Sequence, residues 1–177
     1  MPEHLQPSPN QLRILQINLN KSEKAHLDLL NGPLGTRWDI VLLQEPHVTK
    51  FNTIRTLMQF RQVYPTDRYK EGAVVCSVIW VNTEINTKSW KIINVPGTNN
   101  ITAIQIQGPY GELTIFNVYN SCTHSLTETL LRQHLCDNAN DLWQGQDKHM
   151  LWCRDFNRHH PLWDREEDTH LFTADAI

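Results

Sequence analysis

The sequence predicts an α/β fold in which antiparallel-rich sheets carry helices on the outside. Its first part alternates strand, helix and strand patterns, its middle is a series of short strand patterns, and a long helical pattern then leads into a buried strand. With 177 residues and 40% hydrophobic content, the chain can bury one sizeable core, which favours one domain. We predict a polar, proline-rich, disordered lead over residues 1–11 and the domain over residues 12–177.

The first third of the chain predicts one layer of strand, helix and parallel strand. Residues 12–19 (LRILQINL) alternate apolar and polar side chains, as a half-buried strand does. Ser22 is a candidate N-cap for a helix over Glu23–Leu30. Residues 39–43 (DIVLL) are almost continuously apolar, which predicts a strand covered on both faces.

The rest of the chain is predicted to be mainly β-structure with one long helix. We predict a helix over residues 53–60 and another over residues 125–143, followed by a buried strand over residues 148–153. Turn residues such as Pro, Gly and Asn separate the strand patterns of the middle region. These patterns cover residues 62–65, 73–81, 84–93, 101–107 and 113–119.

Composition narrows the functional classes. A formal net charge of −3 argues against a module that binds nucleic acid by electrostatics alone, but it is compatible with an enzyme whose carboxylates bind metal. The four cysteines form no Cys-x-x-Cys pair, which favours reduced, intracellular thiols. No apolar run reaches the length of a membrane span, and the N-terminus lacks the apolar region of a signal peptide. We therefore expect an intracellular protein that neither spans nor binds a membrane.

Polar side chains stand at the ends of four predicted strands. They are Asn18, Glu45, Asn117 with Tyr119, and Asp155 with Asn157. Phosphoryl transfer needs a carboxylate for a divalent ion, donors for the phosphate oxygens and a group that orients water. Glu45 and Asn18 could supply a magnesium site, because Mg²⁺ prefers oxygen ligands and keeps several waters. Asp155 could accept a proton from water, while Asn157 and Tyr119 donate to the phosphate.

Each of these groups also has a purely structural interpretation. Asp155 and Asn157 could form an Asx turn that ends a strand. Tyr119 could be an interface aromatic residue with a hydrated hydroxyl, and Glu45 a surface residue beside a proline.

The order of these motifs resembles the endonuclease/exonuclease/phosphatase superfamily. Four motifs carry the resemblance: Asn18 in LQINLN, QEPH at residues 44–47, Asn117-Val118-Tyr119, and Asp155-Phe156-Asn157. The chain is most similar to the endonuclease domain of non-LTR (LINE-type) retrotransposon polyproteins. The stretches SVIWVN, LTIFNVYNSCTH and DFNRHHPLWDREEDTHLFT resemble that group more specifically. The resemblance extends over nearly the whole chain from about residue 12.

The resemblance implies a fold, a cofactor and a substrate. The fold would be a two-sheet, DNase I-like α/β sandwich with a shared cleft. Glu45 and Asn18 would hold Mg²⁺, with Mn²⁺ as a substitute, and Tyr119 would lie beside the phosphate. Asp155 and Asn157 would orient the attacking water and the scissile phosphate. The substrate would be DNA, nicked in the nucleus to leave a 3′-hydroxyl from which a reverse transcriptase domain of the parent polyprotein primes.

Two departures from the family pattern lower the expected activity. Arg154 stands where the family has Gly before Asp155. The family also carries a later Asp and a Ser-Asp-His motif, and the sequence ends at Ile177 without them. We therefore expect the sandwich to be incomplete at its C-terminus and this fragment to be weak or inactive as a nuclease. None of its nine histidines fits the role of the family's catalytic His.

Two other functions remain possible for a chain with these motifs, and a zinc site was also considered. The chain could be another phosphodiesterase or phosphatase of the same superfamily, or a decayed fragment without catalytic function. A zinc site at Cys153, His159 and His160 is disfavoured, because zinc needs four ligands and no fourth is evident. The adjacent histidines are expected to shape a loop beside the cleft, with contact to DNA as the less favoured alternative.

Overall fold

The residues that the structure describes form two four-stranded sheets with helices on their outer faces. The computed structural model describes residues 11–70, 72–120 and 126–155. The first sheet has the strand order β1-β2-β4-β3, and the second has the order β5-β6-β7-β8. In chain order the elements are β1 (Ile14–Asn18), α1 (Glu23–Leu30), α2 (Leu34–Arg37), β2 (Ile40–Gln44), β3 (Phe60–Val63), β4 (Ser77–Asn82), a 3₁₀ turn (Thr87–Ser89), β5 (Trp90–Ile93), β6 (Ile101–Gly108), β7 (Gly111–Tyr119), α3 (Leu126–Asp137), α4 (Ala139–Leu142) and β8 (Lys148–Asp155).

The first sheet contains the predicted strand–helix–strand layer. β1 and β2 are parallel, while β4 pairs antiparallel with both β2 and β3. Every residue of β2 is buried. Ile40 and Leu42 pack in the cluster shared with the second sheet, and Leu43 packs in the cluster on the other face, which includes residues of α1. The prediction that this strand is covered on both faces is confirmed.

Like the first sheet, the second sheet has a pair of parallel strands at one edge. β7 pairs antiparallel with β6 and parallel with β8, and α3 and α4 lie in the connection between β7 and β8. On the outer face of this sheet, Phe116 and Val118 pack with Leu131 of α3 and Leu142 of α4. The molecule is thus a two-sheet α/β sandwich, with one cluster between the sheets and one under each helical layer.

The predicted start of α1 is confirmed by its cap. The Ser22 hydroxyl oxygen accepts a hydrogen bond from the backbone N–H of Ala25 at 3.2 Å. This bond satisfies one of the N–H groups that the first turn of a helix leaves without an intrahelical acceptor. The helix extends over Glu23–Leu30, the bounds that the sequence predicted.

The predicted helix over residues 53–60 is wrong. The segment is irregular, and side chains from elsewhere satisfy its backbone. The Tyr64 hydroxyl accepts from the Ile54 N–H at 3.1 Å, Gln62 donates to the Ile54 carbonyl at 3.4 Å, and His26 contacts the Arg55 carbonyl at 3.0 Å. Tertiary hydrogen bonds therefore replace the helical ones that the apolar pattern suggested.

The other predicted elements hold with changed bounds. The strand expected over residues 84–93 is a 3₁₀ turn followed by β5, since the Asn86 side chain accepts from the Lys88 N–H at 2.9 Å and starts that turn. The long helix expected over residues 125–143 is two helices, α3 and α4. The four-residue helix α2 was not predicted. Among the described helices, none is long and apolar enough to cross a membrane.

A buried hydrogen-bond network joins the two sheets. Asn117 of β7 is fully buried, and its side-chain amide donates to the carbonyls of Leu43 at 2.8 Å and Val78 at 3.0 Å in the first sheet. Gln44 of β2 donates to the Asn117 side-chain oxygen at 3.1 Å. The Ser77 hydroxyl donates to the Asn117 backbone carbonyl at 2.8 Å. Asn117, which the sequence predicted to be a polar strand-end group, therefore joins the two sheets.

Replacing Asn117 with Ala should therefore destabilise the sandwich strongly. The change deprives the Gln44 amide of an acceptor and leaves a cavity between the sheets, so we expect a loss of about 2–4 kcal/mol in the free energy of unfolding. Urea denaturation followed by circular dichroism measures it. Asn140→Ala, at an exposed position of α4, is the matched control and should change stability little. An equal effect of the two substitutions would contradict the structural role of Asn117.

A buried histidine adds a pH dependence to the fold. His26 on α1 is 2% exposed and packs against Trp80, with ring centroids 5.8 Å apart. Burial lowers the pKa of His26 below its ordinary value of 6.5, and its hydrogen bond to the Arg55 carbonyl opposes this shift only in part. The imidazole is therefore neutral in the folded protein at pH 7.

The stability of the protein should fall as the pH drops below about 6.5. Below this pH, His26 is protonated in the unfolded chain but stays neutral in the folded one. The free energy of unfolding therefore decreases with falling pH until the pH passes the lowered pKa of the folded state. Burial also lowers the pKa of His134, which acts with the same sign. His26→Gln should flatten the pH profile of the free energy of unfolding between pH 7 and 5, and the exposed His149→Gln should leave it unchanged. An unaltered slope in His26→Gln would refute this assignment.

Candidate functional site

The carboxyl ends of two parallel strand pairs meet at one rim of the sandwich. In the first sheet Asn18 of β1 pairs with Gln44 of β2, and in the second Tyr119 of β7 pairs with Asp155 of β8. The Gln44 side chain bridges the two pairs. Its amide nitrogen lies 3.2 Å from the carbonyl of Val118 and 3.3 Å from that of Cys153, near the ends of β7 and β8. Ligands of α/β proteins commonly bind where the carboxyl ends of strands meet.

Glu45 presents the carboxylate of the first-sheet half of the rim. Its backbone is in the left-handed region, with φ 44°, and its N–H donates to the carbonyl of Cys76 at 2.9 Å. Its side chain is only 12% exposed and lies 3.4 Å from the ammonium of Lys21. A non-glycine residue in this region costs about 1–3 kcal/mol and persists where the surrounding structure imposes it. The turn therefore holds Glu45 in one orientation at the strand end.

A second turn in the left-handed region faces Glu45 from the end of β1. Asn20 has φ 47° and Lys21 has φ 56°. The Asn18 side-chain oxygen accepts from the Asn20 N–H at 2.7 Å, an Asx turn that fixes the amide of Asn18. The Lys21 N–H donates to the backbone carbonyl of Glu45 at 2.7 Å, so the two turns are joined. Asn18 and Glu45 thus belong to one connected piece of backbone.

The donors at this half of the rim fit a hard divalent cation. They are oxygens, from the Glu45 carboxylate and the Asn18 amide, and Mg²⁺ binds through one or two carboxylates with waters in its other positions. The Lys21 ammonium beside Glu45 shows that a positive charge is accommodated there. Within the described residues, no group of three or more His, Cys, Asp or Glu side chains could hold a metal ion. A divalent ion held by these two side chains would take its remaining ligands from water.

The second half of the rim comes from β7 and β8. The Tyr119 side chain is partly exposed, and its backbone N–H donates to the carbonyl of Asn100 at 2.8 Å. Asp155 is the last residue of β8, directly beside Tyr119. The structure therefore brings together Asn18, Glu45, Tyr119 and the backbone of Asp155. Asn157, His159 and His160 lie outside the described residues.

Arg154, the departure from the family's Gly, contacts the outer helix. Its guanidinium donates to the carboxylate of Glu128 on α3, and its side chain is only 15% exposed. It also lines a cavity of about 430 Å³ with Leu131 and Trp152 on the outer face of the second sheet. The pair between Arg154 and Glu128 was not predicted from the sequence.

Two residues that contact Glu45 were not predicted from the sequence. Lys21 forms the ion pair described above, and Cys76 accepts the Glu45 N–H through its carbonyl. Burial raises the pKa of the Cys76 thiol, so the sulfur stays protonated at neutral pH and is a poor metal ligand. The sequence gives no periodic signal for either residue, because both contacts depend on turns that bring separate strand ends together.

The comparisons with known proteins establish the fold. The chain matches no protein-family model, and no curated protein sequence matches it. It is similar in structure to the endonuclease domain of TRAS1, a telomere-specific non-LTR retrotransposon, with 23% identity and a TM-score of 0.59 over 91% of this chain and 68% of that one. It is also similar to the AP endonuclease LMAP from Leishmania major, with 12% identity and a TM-score of 0.59 over 83% of this chain and 55% of that one. The chain therefore has the two-sheet α/β sandwich of DNase I-like endonucleases, as the sequence resemblance implied.

Proposed function

We propose that this chain is a metal-dependent phosphodiesterase that nicks DNA, the endonuclease domain of a LINE-type retrotransposon polyprotein. One observation carries the proposal: Gln44 ties the ends of β2, β7 and β8 into one rim, which brings Asn18 and Glu45 to the same edge as Tyr119 and Asp155. Both structural neighbours are endonucleases by name, and one comes from a retrotransposon, which supports DNA as the substrate. In such a retrotransposon, the parent polyprotein would also contain a reverse transcriptase domain. That domain would start DNA synthesis in the nucleus from the 3′-hydroxyl at the nick.

The residues divide the work of hydrolysis between the two halves of the rim. Glu45 and Asn18 would hold Mg²⁺, which when bound polarises a phosphoryl oxygen and stabilises the charge of the transition state. The Tyr119 hydroxyl would donate to a phosphate oxygen. Asp155 would accept the proton of the attacking water, and Asn157 would orient the scissile phosphate. The Asx turn of Asn18 and the turn at Glu45 keep the first half in place before substrate arrives.

Replacing Glu45 tests whether its carboxylate binds the metal ion. Glu45→Gln keeps the shape of the side chain but removes its charge, so Mg²⁺ and Mn²⁺ should bind at least about tenfold more weakly. Thermal shift titrations of the 177-residue chain measure this binding. Glu84→Gln is the matched control, because Glu84 is exposed and follows the end of β4 that lies far from the rim. Metal binding that is unchanged in Glu45→Gln would remove Glu45 from the site.

The nicking activity of the chain can also be predicted. Residues 1–177 should nick supercoiled plasmid slowly in Mg²⁺, because they lack the His that the family resemblance implies, and one positioned donor to the phosphate is worth about 10²–10³ in rate. A version extended by the corresponding C-terminal segment of the TRAS1 endonuclease domain should nick faster. A chelator and Asp155→Ala should each abolish nicking in both proteins.

Arg154→Gly, made in both proteins, separates the effect of the family's Gly from that of the added segment. It should raise the nicking rate only if the pair between Arg154 and Glu128 holds β8 in a less active position. Equal rates for the short and extended proteins would refute the expectation of weak activity. Nicking by the extended Asp155→Ala protein at the unmodified rate would refute the proposed mechanism. A duplex with an abasic site, compared with intact DNA, tests for the specificity of an AP endonuclease.

A further inference from the structure

Lys21 is anchored at the rim by its backbone, while its ammonium remains accessible. Its N–H donates to the Glu45 carbonyl at 2.7 Å, and its own carbonyl lies 3.4 Å from Nδ1 of His47. Its side chain is 62% exposed. The backbone of Lys21 is therefore fixed beside Glu45, whereas its flexible four-carbon stem can point the charge to another acceptor.

The ion pair between Lys21 and Glu45 differs from an ordinary surface pair. The pair between Lys24 and Asp28 on α1 has the same separation, 3.4 Å, but those side chains are 89% and 65% exposed. Solvated pairs of that kind contribute little to stability, because water already compensates both charges. Glu45 is only 12% exposed, so water compensates its charge poorly and a nearby cation must do so. In the protein without a divalent ion, Lys21 is that cation.

The proposed metal site gives Lys21 a competitor. If Glu45 is a metal ligand, its charge is compensated by the divalent ion, and the ammonium then faces a like charge at short range. Lys21 must turn away, and its anchored backbone keeps the released charge at the same rim. A DNA phosphate bound at that rim is the nearest anionic partner in the proposed reaction.

We propose that Lys21 exchanges partners with metal occupancy: it pairs with Glu45 in the metal-free protein and binds a DNA phosphate once Glu45 holds Mg²⁺. This inference rests on the proposed function and adds that metal binding switches on a DNA contact. The chain thus binds DNA through Lys21 only when the site is loaded for hydrolysis.

The test compares DNA binding by Lys21→Met and its parent, both carrying Asp155→Ala to prevent cleavage. Fluorescence anisotropy with a short DNA duplex gives the slope of log K against log salt, with Mg²⁺ or with a chelator. One phosphate contact contributes about 0.9 to this slope for B-DNA. Lys21→Met should therefore reduce the slope by about 0.9 in Mg²⁺ and by almost nothing in chelator. Lys24→Met, the matched control from the surface pair, should give the same difference from its parent in both buffers.

Three further measurements separate this inference from the proposed function. Lys21→Met should bind Mg²⁺ at least about twofold more tightly in thermal shift titrations, because the ammonium that competes for the Glu45 carboxylate is removed. In a Glu45→Gln background, Lys21 is released without metal, so Lys21→Met should reduce the slope even in chelator. Lys21→Arg should restore the slope in Mg²⁺.

The outcomes that overturn the inference are distinct. If Lys21→Met changes the slope equally with and without Mg²⁺, or in neither buffer, Lys21 does not exchange partners. If, in addition, Mg²⁺ binding depends on Glu45, the proposed function stands and only this inference falls. If Mg²⁺ binding is independent of Glu45, the proposed metal site is wrong and the inference falls with it.

Discussion

Gln44 places its side-chain amide between the two sheets, where it hydrogen-bonds the Asn117 side chain and the carbonyls of Val118 and Cys153. The residue is 1% exposed, and Gln16 completes its hydrogen bonding by donating to its side-chain oxygen at 3.1 Å. A buried amide that lost these partners would carry the full cost of desolvation. The network therefore permits one relative placement of the sheets, whereas apolar packing alone tolerates small shifts.

The placement of the candidate site follows from this constraint. Glu45 is the next residue after Gln44, and Tyr119 is the next after Val118, so the bridge that fixes the sheets also fixes the distance between the two halves of the rim. The turns at Asn20, Lys21 and Glu45 adopt positive φ angles, and hydrogen bonds between the two strand ends maintain them. Backbone strain of this kind concentrates at functional sites, where it holds side chains ready for ligand.

Local patterns predicted the parts of the fold that depend on local physics. The cap at Ser22 and the fully buried strand after Asp39 follow from nearest-neighbour chemistry and from apolar periodicity. Residues 53–60 show why such patterns fail elsewhere, because the backbone of Ile54 is satisfied by Tyr64 and Gln62 from β3 and the residues after it. The periodicity of apolar residues in a sequence carries no information about hydrogen bonds from distant elements.

The candidate site divides in the same way. Asn18, Glu45 and Tyr119 were recognised from motif order, and the structure brings their strand ends to one rim with Asp155. The roles of these residues stay predictions, and Asn157 lies outside the described residues. The pairing of Lys21 with Glu45 and of Arg154 with Glu128 could not be predicted, because each joins residues whose proximity depends on the finished sandwich. Asn117 stood in the same motif as Tyr119, but full burial makes it a structural residue.

The central claim is that the Glu45 side of the rim is a divalent metal site. The measurement that tests it most directly is a crystal structure of the chain grown with Mn²⁺, with anomalous scattering data collected to locate the ion. We predict an anomalous peak in contact with the Glu45 carboxylate and near Asn18, with the Lys21 ammonium turned away from Glu45. A peak elsewhere, or Glu45 still paired with Lys21 at saturating Mn²⁺, would contradict the account.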